Sequence, residues 1–424
     1  MRVLWLSATQ SLYQSKTSSF NGGGWIASLQ KAVERLIPEI TLGICFVFST
    51  KETKQQEGNV IYYPILEKKK SSIKKVLYYW GGYKTDAVSY NKEIVEVIQD
   101  FNPDVIQLFG LESDFASILG ATKAPTVVHL QGILNMCYNA FYPQGMNVYT
   151  FLFKQLSLNE WILNNGFRFA VNNLKYRSKK EIALFNNASV FMGRTDCDYQ
   201  ISQFLSPKSE YFHVDEILRD EFYTDPPINL STDKFVITST ISQVAYKGLD
   251  LILKTAQLLT KHTDLKFEWR IIGVDEGSKY VRFFEKSCRI ISRSVHIKYM
   301  GNLRVNQVCE NLHQSHVYVH PSYIDNSPNS LCEAQLTGLP SIGTYVGGVP
   351  SLITHKENGI LVPANAPYET AYWLLHLYHN PDEMMSMGKR ARETALARHS
   401  KEKIAKDLKS VYEKLINRTS TNSH

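Results

Sequence analysis

The chain has 424 residues, 44% of them hydrophobic and 21% charged, and a formal net charge of +7. This length exceeds what one hydrophobic core usually covers, so we expect two domains of roughly 200 residues each. No apolar run reaches the ~18 residues of a membrane-spanning helix, which argues against a membrane-embedded protein.

The first residues predict a buried strand rather than an export signal. "MRVLWLSATQ" has only four consecutive apolar residues, too few for the apolar core of a secretory signal. The six cysteines show neither a Cys-x-x-Cys pair nor a histidine pattern that suggests zinc. We therefore expect a reduced protein of the cytoplasm.

Strand-length apolar segments alternate with amphipathic helical segments in the first half of the chain. "RVLWLSA" precedes "GWIASLQKAVERLI", "NKEIVEVIQDF" precedes "DVIQLFG", and "SVFMGR" precedes "TDCDYQISQFL". Such alternation predicts a parallel sheet with right-handed crossovers. Residues 1–222 are therefore predicted to form a Rossmann-like, doubly wound α/β domain.

A glycine-rich turn separates the first predicted strand from the first helix. Gly22, Gly23 and Gly24 leave room for a phosphate or a sugar against backbone N–H groups. The turn matches neither the Gly-x-Gly-x-x-Gly motif nor a P-loop. The absence of the first motif argues against a dinucleotide-dependent oxidoreductase. A flexible loop without a ligand is an equal alternative.

A lysine-rich stretch with aromatic neighbours follows. It could attract an anionic membrane surface or a lipid phosphate, with the aromatic rings at the interface. A solvated loop is the alternative, and nucleic acid is not expected because no recognition module accompanies the charge. The residues concerned are Lys68, Lys69, Lys70, Lys74 and Lys75, followed by Tyr78, Tyr79 and Trp80.

Two predicted strands of the first domain end in polar side chains. His129 and Arg194 can project from these ends into a cleft, although a lone histidine such as His129 is more often a packing residue. Asp196 and Asp198 form an Asp-x-Asp pair that suggests a metal. At a predicted helix start, we expect them to cap backbone N–H groups instead.

Regular patterning lapses at Tyr223–Lys234, which predicts an exposed linker, and then restarts with "FVITSTI" and "LDLILKTAQLLTKH". Residues 223–398 are predicted to form a second Rossmann-like domain. Ligands bind at the carboxyl ends of strands in such sheets, so we expect the site in a cleft between the domains.

The tail, residues 399–424, carries one apolar helical face that needs a partner. We predict that this helix crosses back and packs on the first domain. Its apolar residues are Ile404, Leu408, Val411, Tyr412 and Leu415.

Lys247 and Gly248 stand between a predicted strand and the helix that follows it. A lysine at such a junction places a cation where an anionic ligand would lie, and the glycine permits close backbone approach. In isolation, a surface lysine is the simpler interpretation.

Two carboxylates, Asp325 and Glu333, flank the turn Ser327–Ser330 after the strand "VYVHPS". We predict Ser327 as N-cap and Pro328 as the first helical residue, so that free backbone N–H groups could receive phosphate. Carboxylates accept hydrogen bonds from the vicinal hydroxyls of a sugar or ribose. Alternatively, Ser330 is the N-cap and Glu333 completes a capping box.

The run Pro-Asn-Ser-Leu-x-Glu-Ala-x-x-x-Gly-x-Pro, together with the features above, resembles glycosyltransferase family 4. These are retaining enzymes of the GT-B architecture, in which two Rossmann-like domains face a cleft. The resemblance implies that Glu333 binds the nucleotide ribose, Asp325 the donor sugar and Lys247 the diphosphate. It also implies that His129 lies beside the donor sugar.

The implied site therefore has two overlapping sets of residues. The catalytic set is His129, Lys247, Asp325 and Glu333. The donor-binding set is Gly23, Gly24, Lys247, Asn326, Ser327, Asn329, Ser330 and Glu333.

Two positions depart from the family pattern: Ser242 stands where an arginine usually accompanies the lysine, and Ser351 replaces an acid. The resemblance implies transfer from a UDP- or GDP-sugar to a glycan or lipid-linked acceptor, with no cofactor and no metal. The enzyme would lie in the cytoplasm, at the inner face of the membrane if the lysine stretch binds there. The alternative is a nucleotide-sugar epimerase with the same two domains.

Overall fold

The computed structural model describes residues 1–14, 24–68, 90–147, 149–150, 167–225 and 233–421. Within these residues, the strands form two separate sheets, one of eight strands and one of six. Each sheet has helices packed against it, as apolar strands alternating with amphipathic helices predict.

The first sheet has the order β3-β4-β2-β1-β5-β6-β7-β8. Every pair of neighbouring strands from β4 to β8 in this order is parallel. Its strand order reverses between β1 and β5, where ligands bind in doubly wound sheets. The strands are β1 Arg2–Leu6, β2 Thr41–Phe48, β3 Gln55–Glu57, β4 Val60–Leu66, β5 Val105–Phe109, β6 Thr126–His129, β7 Val190–Gly193 and β8 Glu210–His213.

The edge pair β3 and β4 departs from the expected all-parallel sheet, because it is antiparallel. The two strands are joined by Gly58 and Asn59, and Gly58 has φ +58°. A two-residue turn connects only antiparallel strands, and glycine adopts the required left-handed conformation without a steric cost.

The longer helices of the first domain bury one face each, whereas none of the residues of the short helix Leu134–Asn139 is buried. In α1, for example, Trp25, Ile26, Leu29 and Val33 recur at helical spacing and are buried. The helices are α1 Gly24–Leu36, α2 Asn91–Phe101, α3 Leu134–Asn139, α4 Phe167–Phe185 and α5 Asp196–Leu205.

The second sheet is parallel throughout its described strands and has the order β11-β10-β9-β12-β13-β14. This is the doubly wound order of dinucleotide-binding sheets, with the reversal between β9 and β12. The strands are β9 Phe235–Thr240, β10 Phe267–Ile272, β11 Ile297–Gly301, β12 Val317–His320, β13 Ser341–Thr344 and β14 Ile360–Val362.

The helices of the second half flank this sheet, except for the last one, which packs on the first domain. No helix within the described ranges is long and apolar enough to cross a membrane. The helices are α6 Leu249–His262, α7 Lys279–Cys288, α8 Val305–His313, α9 Asn329–Leu336, α10 Pro367–His379, α11 Pro381–Arg398 and α12 Lys401–Thr421.

The last helix, α12, packs on the first domain, as its apolar stripe predicts. Leu408 and Tyr412 are fully buried in the same cluster as Val3 and Trp5 of β1. The indole Nε1 of Trp5 donates to the hydroxyl of Tyr412 at 3.0 Å. The predicted fold class is therefore confirmed: two parallel-sheet α/β domains with a helix that returns to the first. The predicted linker lies largely outside the described residues.

Replacing Leu408 with alanine is expected to lower the free energy of unfolding by about 2 to 5 kcal/mol, because it leaves a cavity between α12 and the core of the first domain. Lys406→Ala on the exposed face of the same helix should change it by less than about 0.5 kcal/mol. Urea unfolding followed by circular dichroism measures both. Equal, small effects would show that α12 does not depend on the first domain.

Candidate active site

A cavity of about 460 Å³ lies between the two domains. Trp25, Gln131 and Arg194 line it from the first domain. In the second domain, its wall is formed by residues that follow β9 and β12. The strand order of the sheet reverses between these two strands, which is where a doubly wound sheet binds its ligand. The predicted site residues on its wall are Lys247, Asp325, Ser327, Asn329 and Ser330, and Ser242 lies there too.

Lys247 and Asp325 form an ion pair on this wall, with the lysine Nζ 2.5 Å from Asp325 Oδ2. His320 Nε2 lies 3.2 Å from the same oxygen. Burial by itself would raise the pKa of Asp325, but the Lys247 ammonium and His320 hold that pKa far below its usual range. Asp325 is therefore an anion throughout the physiological pH range.

Gly248 fixes the position of Lys247. It has φ +77°, and a Cβ atom built on it would lie 2.0 Å from the carbonyl oxygen of Pro321. The loop after β9 therefore packs directly against the backbone of the loop after β12. Only glycine permits this approach.

Helix α9 brings its first residues, Asn329 and Ser330, to the cavity wall. Pro328 itself occupies the N-cap position, so the predictions of Ser327 and of Ser330 as N-cap are both wrong. Ser327 Oγ instead donates to Glu216 Oε1 at 2.7 Å. Asn329 and Ser330, whose backbone N–H groups precede the first hydrogen bond of the helix, nevertheless lie at the cavity wall, as an anion site requires.

Asn326 joins the two domains rather than facing the cavity. Its Oδ1 accepts from Thr195 Oγ1 at 2.9 Å, and its Nδ2 donates to Asp198 Oδ1 at 2.7 Å and to Gln131 O at 3.2 Å. Donor binding by Asn326 stays a prediction, and it would require the amide to give up these bonds.

The start of α5 is capped differently from the expectation. Thr195 is the N-cap and accepts the backbone N–H of Asp198, whereas the Asp198 carboxylate accepts the N–H of Arg194 at 2.8 Å. Asp196 donates its own N–H to Ser351 Oγ at 3.0 Å, so Ser351 also contacts the first domain. Asp198 therefore accepts a backbone N–H beside the helix start, as expected, although neither aspartate is the N-cap.

Glu333 lies one turn into α9 and is almost fully buried. Its carboxylate accepts two hydrogen bonds from the guanidinium of Arg219, both at 2.8 Å. Glu333, like Asn326, is not on the wall of the cavity described above, whereas Asp325, Ser327, Asn329 and Ser330 are. No sequence motif indicates Arg219, because 114 positions separate the two residues.

His129 is fully buried in the first domain, and its ring packs against Trp25 and Phe109. Burial lowers its pKa to about 3, so the ring is neutral. Trp25 lines the cavity but His129 does not. The packing interpretation therefore fits the structure, and contact with a donor sugar stays a prediction that this packing does not favour.

Arg194 does reach the cavity from the end of β7. Its guanidinium donates to Gln131 O at 2.7 Å and lies 5.2 Å from the ring centre of Trp25. Glu216 Oε2 lies 3.8 Å from its Nε. Although burial raises the pKa of Glu216, Arg194 and neighbouring cations lower it to about 2.

Glu216, Cys332 and His399 form a buried cluster whose ligand atoms lie within 4.8 Å of one another. Such a set could hold a metal, but Glu216 already accepts from Ser327 and Cys332. The guanidinium groups of Arg194 and Arg398 also act on this carboxylate. Their positive charge disfavours a cation at this place.

Several predicted residues lie next to or within the gaps between the described ranges. Gly24 begins α1 with φ +62°, whereas Gly22 and Gly23 lie outside the described residues. Of the lysine stretch, Lys68 is described, and its Nζ lies 2.7 Å from Glu93 Oε1. The remaining residues, Lys69, Lys70, Lys74 and Lys75, lie outside the described ranges, so membrane binding stays a prediction.

Residues 223–394 match the family model described as "Glycosyl transferases group 1". An uncharacterized glycosyltransferase of Haemophilus influenzae is 30% identical over 151 residues, 35% of this chain and 40% of the relative. The gpi3 subunit of phosphatidylinositol N-acetylglucosaminyltransferase from Schizosaccharomyces pombe is 26% identical over 151 residues, 35% of this chain and 32% of the relative. The chain thus matches well under half the length of either relative.

Solved structures agree with the fold over nearly the whole chain. Sucrose-phosphate synthase from Thermosynechococcus elongatus has a TM-score of 0.73 at 12% identity and covers 98% of this chain and 99% of its own. Anabaena HepE, in complex with UDP-glucose, has a TM-score of 0.62 at 14% identity and covers 98% and 100%. The fold is therefore that of the GT-B glycosyltransferases.

Gly248→Ala is expected to displace the Lys247 loop, because its Cβ would collide with Pro321 O and alanine disfavours φ +77°. We expect a loss of at least about 2 kcal/mol in the free energy of unfolding. Gly277→Ala is the matched control, since a Cβ there meets nothing within 4 Å. Urea unfolding compares the two, and equal stability would contradict the close approach.

Asn326→Asp should place a second carboxylate beside Asp198 in the buried contact between the domains. We expect a loss of about 2 kcal/mol or more at pH 7.5, which becomes smaller at about pH 5 because one carboxyl group can then protonate and donate. Unfolding midpoints at both pH values measure this. Asn306→Asp, at an exposed position of α8, should show no such pH-dependent loss.

Proposed function

We propose that the protein is a retaining glycosyltransferase that moves a sugar from a nucleoside-diphosphate donor to an acceptor hydroxyl. The observation that carries this proposal is the convergence of Lys247 and the start of α9 on one interdomain cavity. A lysine ammonium and free helix N–H groups are the partners that a diphosphate requires. The match of residues 223–394 to group 1 glycosyl transferases supports the same assignment.

The donor diphosphate lies, in this proposal, between the Lys247 ammonium and the backbone N–H groups of Asn329 and Ser330. The bond between the anomeric carbon and the diphosphate oxygen breaks, so negative charge develops on the leaving group. Donors that are already in place stabilise this charge without reorganising. The charge can be accommodated by these groups alone, and we therefore propose that transfer needs no metal.

Asp325 is the group that we assign to the donor sugar. Lys247 donates its shortest hydrogen bond to one oxygen of the Asp325 carboxylate, Oδ2. The carboxylate can still accept a hydrogen bond from a sugar hydroxyl. Glu333 is assigned to the ribose through its position one turn further along α9. The base is either uracil or guanine, and one structural neighbour, Anabaena HepE, solved in complex with UDP and with UDP-glucose, favours uracil.

The acceptor is assigned to the side of the cavity that the first domain forms, where Trp25, Gln131 and Arg194 lie. Its hydroxyl would attack the anomeric carbon from the face that the diphosphate leaves, so the anomeric configuration is kept. A glycan or a lipid-linked sugar is the proposed acceptor class, with the protein in the cytoplasm. The comparisons give no support to the epimerase alternative.

Lys247→Ala should lower kcat/KM by about 100-fold or more, because the leaving diphosphate loses its ammonium partner. Lys261→Ala at the exposed end of α6 is the matched control and should keep full activity. The measurement is release of UDP or GDP from a panel of UDP- and GDP-sugars, with and without oligosaccharide acceptors, and NMR of the product's anomeric proton.

Circular dichroism must show that the Lys247 variant is folded. Full activity of this variant would contradict the site assignment. Formation of a new nucleotide sugar without release of the diphosphate would contradict the proposed reaction, and an inverted anomeric proton would contradict retention.

A further inference from the structure

Arg219 is the one residue that pairs with Glu333 by a two-point ion pair in the described structure, and neither the sequence motifs nor the comparisons assign it a role. It lies directly before the short 3-10 helix Asp220–Tyr223, at the end of the first domain. Its guanidinium donates through Nε and Nη2 to the two carboxylate oxygens, both at 2.8 Å. The guanidinium also lies 4.9 Å from the ring centre of the buried Phe222.

This pair differs from the surface ion pairs of the molecule in its burial. Only 6% of the Glu333 side chain is exposed, and 30% of Arg219. By comparison, the exposed fractions are 79% and 48% for Arg293 and Glu276. Two parallel hydrogen bonds between a planar guanidinium and a carboxylate fix the orientation of both groups. Glu333 is therefore held in one rotamer by a residue from outside its own domain.

The contact with Arg219 leaves acceptor capacity on the same carboxylate for a ligand. A carboxylate has about four acceptor positions, and the guanidinium uses two of them, one on each oxygen. The remaining two are available to a pair of neighbouring hydroxyl groups. Asn329 and Ser330, one turn earlier on α9, already line the cavity proposed for the diphosphate.

We propose that Arg219 is a positioning residue of the nucleoside subsite, which orients the Glu333 carboxylate to accept hydrogen bonds from the 2′- and 3′-hydroxyls of the donor ribose. This proposal rests on the proposed function, since it takes the ligand to be a nucleoside diphosphate. Arg219 itself need not contact the donor. It would act by keeping Glu333 charged and directed at the ribose.

The electrostatic surroundings of Glu333 support this role. Burial raises the pKa of Glu333, and the nearby Glu221 adds to this, whereas Arg219 opposes both. The other titratable groups near it are Cys309 of α8 and Tyr318 of β12, both neutral at ordinary pH. Arg219 is thus the cation, among the described neighbours, that favours the ionised carboxylate. Without it, Glu333 would take up a proton more readily and lose acceptor capacity.

The test compares two ligands on each protein: the nucleoside diphosphate, UDP or GDP, that binds the wild-type chain more tightly, and the 2′,3′-dideoxy form of that same nucleotide. Calorimetry gives both dissociation constants for the wild type, Arg219→Ala, Arg219→Lys and Arg293→Ala between pH 7 and 9. The dideoxy nucleotide keeps the base and the diphosphate, so it reports any general damage to the site.

We expect Arg219→Ala to weaken binding of the ribonucleotide by about 10-fold or more, while binding of the dideoxy form changes by less than about twofold. The loss should diminish as the pH rises, because Glu333 then ionises without its partner. Arg219→Lys should show a smaller loss, since it keeps the charge but not the two-point contact. Arg293→Ala should match the wild type.

Equal losses for both nucleotides would overturn the proposal, because they would give Arg219 a purely structural role. Tighter binding of the ribonucleotide by Arg219→Ala would also overturn it, since Arg219 would then compete with the ribose. If the wild type binds both nucleotides equally, Glu333 does not bind the ribose and the proposal is wrong, although the diphosphate site stands. Failure of the wild type to bind either nucleoside diphosphate would refute the proposed function itself.

Discussion

The ion pair between Lys247 and Asp325 is the interaction on which the candidate site depends. It joins the loop after β9 to the loop after β12, the two strands between which the second sheet reverses its order. Because Asp325 is largely buried, its charge is stable only with a partner, and Lys247 supplies that partner. Gly248 makes the pairing sterically feasible, since it brings the two loops into backbone contact. The cation is thus placed by the fold before any ligand arrives.

The residues that follow Asp325 connect the site to the other domain. Asn326 bonds to Thr195 and Asp198, and Ser327 bonds to Glu216. All these contacts come from the same loop that carries Asp325 and leads into α9. A shift of one domain relative to the other would therefore move this loop and alter the cavity. The segment that carries Asp325 thus couples the geometry of the site to the first domain, beside the other contacts between the domains, such as Asp196 with Ser351 and Arg219 with Glu333.

The helices and strands were predictable from the sequence, because the spacing of hydrophobic residues that indicates them lies within one short segment of the chain. The helix predicted from "NKEIVEVIQDF" forms at Asn91–Phe101, and that from "LDLILKTAQLLTKH" at Leu249–His262. The stripe on α12 likewise indicated its packing, since a buried face requires a partner. The cap of α9 was not predictable, because Ser327 has a competing acceptor, Glu216, that is 111 positions away in the chain.

Long-range polar pairing limited the prediction of the site in the same way. The motif placed Lys247 and Asp325 near one another, because a family resemblance carries tertiary information that spacing alone does not. It carried no such information for Asn326, whose amide is occupied by Asp198, 128 positions away. Arg219 was missed for the same reason. The end of a strand suits His129 as a cleft residue or as a packing residue, and its contact with Trp25 depends on how α1 covers the sheet.

The charge balance of the cavity explains how it could receive a diphosphate although Lys247 is already paired. The Lys247 ammonium has three N–H donors, and one of them donates to Asp325 Oδ2. The pair therefore orients the lysine while leaving donors for phosphate oxygens. Ser242 adds no charge to this wall, so the backbone N–H groups of α9 must contribute where a second cation is lacking. Arg194 is the other cation on the described wall, but Glu216 and Asp198 partly neutralise it from behind. A ligand with two adjacent negative charges should therefore depend strongly on Lys247 and on the helix start.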